Sequence, residues 1–503
     1  MKFVKILTLL LLIAVSLSAF LTLHQPKDNR PGSAPAKPNV ILVLVDDLGW
    51  TDLSAYGSDL YQTPNVDALA KDGVRFTDAY SACTVCSPTR ASLMTGKYPA
   101  RLHCTDWIAG HKKPYAKLQV PDWTMYLPDS EYTLAEALKD NGYTTAHIGK
   151  WHLGEAEKNW PERHGFDLNL AGWSAGSPVA NGGKGYFSPY KNPRLQDGPP
   201  GEYLTERLAD EVAQFIRTNK GKPFFLNYWL YQVHTPLQAK QEKIDKYKAL
   251  VKAGNHHINP TYAAMVEHMD EAVGKMMRTL RETGLYENTI VIFYSDNGGL
   301  RGNYENGRKT VTDNFPLRSG KGDVFEGGVR VPLIVSWPAK IKAGRESNVP
   351  AISPDIYPTI LSLTGGNVKS SVKPNLDGVD LSGLLLANKT PNRKAIFWHY
   401  PHYHLEGAKP YSAVRMGDWK LVEVFEQDSL QLFNLKGDIG EKRNLATTNP
   451  AKTKELHNAL IAWRKQVGAQ MPIKNPNHDP AREEVWGSAK GATESGAQKG
   501  KNE

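Results

Sequence analysis

Cysteine is nearly missing from this chain. Three occur among 503 residues, too few for a disulfide framework, so the fold has to be held by a buried core. Internal repeats are missing as well, and no cysteine follows the apolar N-terminal run, so the residue that a bacterial lipoprotein anchor would modify is not there. Neither charge nor apolar residues are scarce: 22% charged and 40% hydrophobic content fits a globular enzyme and excludes disorder of the whole chain. The formal net charge of +9 suits an anionic substrate or surface, but lysines spread along a chain serve solvation first, and nothing points to nucleic acid.

What is present begins with Lys2 and Lys5 and an uncharged, Leu-rich run from Ile6 to Leu23, read as a signal peptide over 1–23. Ser16, Ser18 and Ala19 offer cleavage sites. The run is 18 residues, so an uncleaved membrane anchor is the alternative. The expectation is an exported protein, periplasmic or secreted. Residues 24–38 are polar with four prolines and read as a linker.

The fold begins at Asn39. Val40 to Val45 is continuously apolar, the pattern of a strand buried on both faces of a parallel sheet, and it runs straight into Asp46-Asp47. Thr289 to Tyr294 repeats the arrangement and is followed by Ser295-Asp296-Asn297. Thr144 to Ile148 leads to Gly149-Lys150-Trp151-His152, and Phe224 to Leu230 leads to His234-Thr235-Pro236. In an open α/β sheet ligands bind beyond the carboxyl ends of the strands, so these four segments are expected to converge. Helices are predicted after Thr63-Pro64 up to about Gly73, from a Thr133/Glu136 capping box, and over Thr261–Glu282. Alternating strands and helices give an α/β class with a large, mainly parallel central sheet.

A main domain over 39–375 is followed by a stretch rich in Gly, Asn, Asp and Pro. A smaller C-terminal α+β unit is then expected over 392–471, with antiparallel strands at Ala413–Met416, Trp419–Phe425 and Gln431–Asn434 and a helix at Lys452–Val467. Residues 472–503 read as a polar tail, disordered beyond Gly487.

Two groups of residues carry chemistry. Asp46, Asp47, Asp296 and Asn297 supply oxygen ligands only, which selects a hard cation such as Ca²⁺ or, second, Mg²⁺ over zinc. The segment Cys86-Ser87-Pro88-Thr89-Arg90 places a thiol before a proline suited to the first helical position, at the positive end of a helix dipole. A low-pKa thiol nucleophile, a buried small residue and, with Cys83, a redox Cys-x-x-Cys are all readings of that cysteine, although no other thioredoxin-like feature flanks it. Soft sulfur is a poor partner for a hard cation, and an oxygen atom at position 86 would remove the mismatch. Arg90, Lys150 and Lys321 can place positive charge on an anion, and His152 and His234 can move protons near neutral pH.

The run Cys86 to Gly96 resembles the sulfatase signature. Further similar segments follow in family order: Asn39–Gly49, Gly149–Gly154, His164–Asp167, His234–Pro236, Ser295–Gly298 and Gly320 through Pro332. The resemblance implies an alkaline-phosphatase-like fold and Ca²⁺ bound by Asp46, Asp47, Asp296, Asn297 and residue 86. It implies that a maturation enzyme oxidises Cys86 to formylglycine, that Arg90 holds its hydrate with Lys150 and His152 beside it, and that His234 and Lys321 contact the sulfate. His234 is implied as the acid for the leaving alcohol, and one hydrate hydroxyl as the nucleophile on sulfur. With Cys86 modified, Cys83 and Cys104 remain as a pair that an oxidising compartment can link.

The expected function is therefore hydrolysis of a sulfate ester on a carbohydrate. The alternatives are a phosphodiesterase or phosphonate hydrolase of the same superfamily and a non-catalytic sulfated-glycan binder. For substrate contacts the candidates are His399, His402 and His404 with Trp398, Tyr400 and Tyr403, and His103 with Asp106; the same aromatics can instead pack a small sheet.

Overall fold

Asn39–Val45 (β1) shows no alternation because both its faces are covered. Ile41, Val43 and Val45 enter one buried cluster, and Val40, Leu42 and Leu44 enter another. Each such side chain contributes about 1.5–3 kcal/mol on leaving water. The strand sits inside an eight-stranded sheet whose other members are Val74–Phe76 (β2), Thr144–Gly149 (β3), Leu168–Leu170 (β4), Phe224–Trp229 (β5), Thr289–Ser295 (β6), Leu333–Ser336 (β7) and Arg345–Ser347 (β8). Their order is β8-β2-β7-β6-β1-β5-β3-β4. Strands β6, β1, β5, β3 and β4 pair in parallel, while β7 runs antiparallel to both neighbours.

Helices cover both faces. Pro64–Lys71, Leu204–Thr218 and Pro260–Glu282 bury Val66, Leu208, Val212 and Met269 on one side. Cys86–Thr95, Leu134–Asp140, Ile356–Thr364 and Ser382–Ala387 bury Leu93, Leu138, Ile360 and Leu384 on the other. The Thr133/Glu136 capping box is present in full. The long helix is capped one step earlier than its apolar periodicity indicated, by the Asn259 side chain accepting from Thr261 N and Tyr262 N. Thr63 does not cap its helix; its hydroxyl donates to Asp67 at 3.0 Å.

This computed structural model describes residues 37–304, 309–368 and 375–489. The expected signal peptide at 1–23, most of the 24–38 linker and the tail beyond 489 lie outside them. Pro38–Glu503 form one compact unit, in which Ile396–Tyr400 (β9), Tyr411–Met416 (β10), Trp419–Val424 (β11) and Ser429–Asn434 (β12) make a separate antiparallel sheet against the helix Pro450–Val467. The polar tail is described as far as 489 and docks on the main domain. Ile473–Lys474 and Gly487–Ser488 pair with Leu118–Gln119 and His111–Lys112, Asn475 donates to the carbonyls of Pro114 and Ala116, and Arg482 lies 3.4 Å from the Tyr115 ring centroid. Cys83, Cys86 and Cys104 are all buried and free, so no pair links Cys83 to Cys104. No helix among the described residues is long and apolar enough to cross a membrane.

The small sheet is joined to the main domain by buried charge. Lys420 on β11 reaches Glu326 at 2.8 Å and Glu441 at 3.0 Å, with all three groups buried. Glu326 also accepts from Arg330 Nε at 2.7 Å and from the Tyr80 hydroxyl at 2.8 Å. Burial pushes Glu441 up to about 7 even beside Lys420. Lys420→Met would leave Glu441 buried without a cation while Glu326 keeps Arg330, and the expected loss is about 3–5 kcal/mol, read as a lower Tm. A carboxyl whose pKa is raised by folding binds more protons folded than unfolded, so that loss should shrink as the pH falls from about 8 towards about 5, which thermal melts across that range would check.

Candidate active site

Parallel pairing brings the strand ends together. Val45 stands opposite Ser295, so Asp46-Asp47 and Asp296-Asn297 leave β1 and β6 side by side, and Gly149 stands opposite Trp229, so Lys150 leaves β3 beside the end of β5. Gly149 permits this approach, because a Cβ there would lie 1.8 Å from the Trp229 carbonyl oxygen. Asp47 and His152 hold positive φ of 62° and 60°, a left-handed backbone that costs a non-glycine residue about 1–2 kcal/mol and is retained here at two site positions.

Asp46, Asp47 and Asp296 each turn a carboxylate oxygen to a common point, within 4.8 Å of one another, and all are buried. Cations stand around them. Arg90 donates through Nε and a terminal nitrogen to Asp296 at 2.9 and 2.7 Å, Lys150 contacts Asp46 at 2.6 Å, and Lys321 contacts Asp47 at 2.8 Å. Asn297 donates its amide to Asp47 at 2.8 Å. Burial, with Asp296 and Asp47 adding to it, holds the Asp46 carboxyl well above its usual range against the pull of Lys150 and Arg90. Burial also pushes Asp47 up, but Lys321, His234 and Lys150 outweigh it and leave that carboxyl low.

These residues fit a metal ion. Asn297 Oδ1 is a buried acceptor without a hydrogen-bond partner, and Asp46 Oδ1 accepts no hydrogen bond and has only Arg90 near it at 3.5 Å, which is costly unless something more electropositive faces them. The donors are all oxygen, the choice of a hard cation. Charge gives the same answer: with all three acids ionised, Asp46, Asp47 and Asp296 only offset Arg90, Lys150 and Lys321, and a dication would favour the ionised form of Asp46 and leave the positive charge that an anionic ester and an ionised oxygen nucleophile require.

Cys86 opens the helix Cys86–Thr95, with Pro88 third rather than first, still among the turns whose N–H groups lack helical partners. Burial raises the Cys86 thiol, and Lys150 and Lys321 offset this only in part, which opposes the low-pKa thiolate reading. His152 Nδ1 lies 3.3 Å from the Cys86 sulfur, while its Nε2 points at the carbonyl of Ile108. A carbonyl only accepts, so Nε2 carries the proton and Nδ1 is a bare acceptor aimed at position 86. Burial first and Lys150 second hold His152 well below its usual pKa, which keeps it neutral. Gly176 packs flat on this ring, where a Cβ would come within 2.4 Å. His234 Nδ1 is likewise held, by the Thr235 carbonyl at 2.7 Å, leaving Nε2 free towards Asp47 at 3.8 Å; burial and Lys321 lower its pKa to about 3.

Cys86, His152, His234 and Lys321 line one cavity of about 500 Å³, while Arg90, Lys150 and the acids lie buried around it. Of the substrate candidates only His404 reaches this cavity. His399 is tied to Ser412 Oγ at 2.6 Å and Gln470 O at 2.7 Å, His402 to Thr105 Oγ1 at 2.8 Å, and His103 to Gly468 O at 3.0 Å. Trp398 donates to Ser81 O at 2.8 Å, and Tyr400 donates to Asp106, whose carboxyl burial lifts to about 8. These side chains tie the small sheet and residues 468–470 to segment 81–106 of the main domain. The cavity walls the sequence did not disclose are Trp107, Glu155, Trp173, Leu405 and Glu406, on irregular segments with no periodicity or motif to mark them.

The sulfatase family model matches residues 38–366, and a model for the C-terminal part of N-sulphoglucosamine sulphohydrolase matches 320–466. A sulfatase of Formosa agariphila is 33% identical, covering 92% of this chain and 93% of that protein. The N-acetylgalactosamine-6-sulfatase of Rattus norvegicus is 33% identical over 73% of this chain and 69% of its own length. The crystal structure of Ps i-CgsB in complex with k-i-k-neocarrahexaose superposes with a TM-score of 0.70 at 31% identity, covering 85% of this chain and 93% of that one. With its strand-end acids, its helix-start Cys86 and these matches over most of its length, the chain belongs to the sulfatase family and is a sulfuric ester hydrolase of alkaline-phosphatase-like α/β fold.

Proposed function

We propose that this enzyme removes sulfate from a sulfated carbohydrate, using formylglycine made from Cys86 by a maturation enzyme and Ca²⁺ held by Asp46, Asp47, Asp296, Asn297 and the modified residue 86. The observation that carries the reading is the bare Nδ1 of His152, 3.3 Å from a thiol that burial keeps protonated among hard oxygen ligands. A base is in place, and sulfur is the wrong atom for the site. The cation when bound supplies Lewis-acid polarisation of a sulfate oxygen, and Ca²⁺ suits so many protein oxygens better than Mg²⁺, which keeps more of its waters.

The chain's own groups do the rest. Arg90 fixes Asp296 and, at 3.5 Å, steadies Asp46, so the acids keep one arrangement as charge builds in front of them. Lys321, at the cavity surface, neutralises the non-bridging oxygens of the ester. His152 Nδ1 takes a proton from the oxygen at position 86. His234 exchanges a proton only through Nε2; that nitrogen is bare in the free enzyme, so it first takes up a proton, which the bound anionic ester would stabilise, and then passes it to the departing alcohol. The carbohydrate assignment is supported by the names of the relatives, one an N-acetylgalactosamine-6-sulfatase and one a structure holding a neocarrahexaose. The apolar run at 6–23 supports export to where such polymers are met.

Protein from a host with a maturation enzyme should release sulfate from 4-nitrophenyl sulfate and sulfated oligosaccharides, and the peptide containing position 86 should be lighter than the cysteine form. Cys86→Ala should lose at least about 10³-fold in kcat; an unshifted peptide mass in active protein would sink the formylglycine assignment. His234→Ala should cost about 10²–10⁴-fold on a sugar sulfate and much less on 4-nitrophenyl sulfate, whose leaving group needs no proton; equal losses on both would remove His234 from the acid role. Chelation should lower Tm and activity together, with Ca²⁺ restoring both more fully than Mg²⁺ at equal concentration.

A further inference from the structure

We propose that the catalytic cavity continues into a second saccharide groove, built by the polar tail, that takes an unsulfated sugar unit next to the one losing sulfate. The inference rests on the carbohydrate reading above. The two cavities share a wall, His404 and Leu405, and Leu405 is 54% exposed along it. The second cavity has about 180 Å³ and is walled by Lys113, Tyr403, Lys409, Glu426, Glu484 and Trp486. A line of rings joins them. Ring centroids stand 6.5 Å apart between His152 and Trp107, 5.0 Å between Trp107 and His111, and 6.4 Å between His111 and Trp486. The line begins beside the nucleophile and ends in the second groove.

The charges of the groove say what it accepts. Lys113 Nζ lies 4.9 Å from the Trp486 ring centroid and pairs with Glu484 at 2.7 Å, while Lys409 pairs with Glu426, which also accepts from the Tyr403 hydroxyl at 2.5 Å. Both lysines are therefore matched, and Glu483, bonded to His478, adds a further carboxylate. A second sulfate would meet net negative charge there. A neutral sugar would find carboxylate oxygens to accept from its hydroxyls and an indole for the apolar face of its ring. The catalytic cavity, whose wall carries Glu155 and Glu406 as well as Lys321, takes the sulfated unit because it alone opens on Cys86 and His234. Selection for alternating sulfation thus follows from a second cavity whose carboxylates outnumber its lysines and which has no cation site behind it among the described residues.

The test compares sulfated di-, tetra- and hexasaccharides with 4-nitrophenyl sulfate on the full-length mature enzyme. Wild type should favour the tetrasaccharide over the disaccharide by roughly tenfold in kcat/KM, and Trp486→Ala should remove that gain while leaving 4-nitrophenyl sulfate within about twofold. Trp486→Phe, which keeps a ring, should retain most of the gain. Equal losses of Trp486→Ala on long and small substrates, or no loss on the tetrasaccharide, would overturn the groove. So would wild-type rates that ignore chain length, with the sulfatase reading untouched. A tetrasaccharide sulfated on every unit and turned over as fast as one sulfated on alternate units would overturn the unsulfated assignment. Sulfate release from 4-nitrophenyl sulfate but from no saccharide would instead refute the carbohydrate reading itself, and the groove with it.

Discussion

Three buried carboxylates at the ends of two neighbouring parallel strands are the constraint on which the rest of the site depends. Register alone places Asp46 beside Asp296, since Val45 pairs with Ser295. Such a group of like charges cannot persist without cations, and Arg90, Lys150 and Lys321 come from a helix, a strand end and a loop to supply them. Each contributing segment is fixed in turn by the acid it serves. The Arg90 pair with Asp296 holds the helix that carries Cys86 against β6, so the nucleophile position is set by the same interaction that neutralises the acids.

Much of this was legible in the sequence, for a physical reason. Strands buried on both faces must be continuously apolar, and an acid straight after such a strand has nowhere to go but the carboxyl edge of the sheet; Val40–Val45 with Asp46, and Thr289–Tyr294 with Asp296, therefore disclosed fold and ligands together. The short strands of the second sheet and the helix Pro450–Val467 were legible through their turn residues and periodicity. The substrate walls were not. Trp107, Trp173 and Glu406 lie on irregular segments whose course is set by long-range contacts; of the histidines that looked like contacts, His399 spends both nitrogens on Ser412 and Gln470, and His402 spends Nε2 on Thr105. The docking of residues 472–489 was not legible for a related reason. They dock through an Asn475 amide, an Arg482–Tyr115 contact and a Lys113–Trp486 contact, and polar docking leaves no hydrophobic pattern to read.

The two histidines show how backbone carbonyls assign work before any substrate arrives. Ile108 O fixes the proton of His152 on Nε2, and Thr235 O fixes that of His234 on Nδ1. Each ring then has one titrating nitrogen, and it faces the chemistry: Nδ1 towards position 86 in His152, Nε2 towards the cavity and Asp47 in His234. Exchanging the two tautomers would leave both rings in place and both roles unfilled. The short distances therefore matter less than which atom a carbonyl has already claimed.

Charge and shape are also divided between different parts of the chain. Every group that meets the acids belongs to the central sheet's strand ends, to the helix Cys86–Thr95 or to the loop carrying Lys321. The walls that meet the rest of a substrate come from excursions: the segment of Trp107, the loop of Trp173 and the turn 404–406 after β9. Substitutions of Trp107, Trp173, Leu405 or Glu406 leave the buried ion pairs intact, because none of these side chains is bonded to Asp46, Asp47 or Asp296, whereas any change among the acids or their cations leaves a buried charge unmatched. The fold can thus hold one reaction fixed while its walls change substrate, and for that reason a family match identifies the chemistry sooner than the sugar.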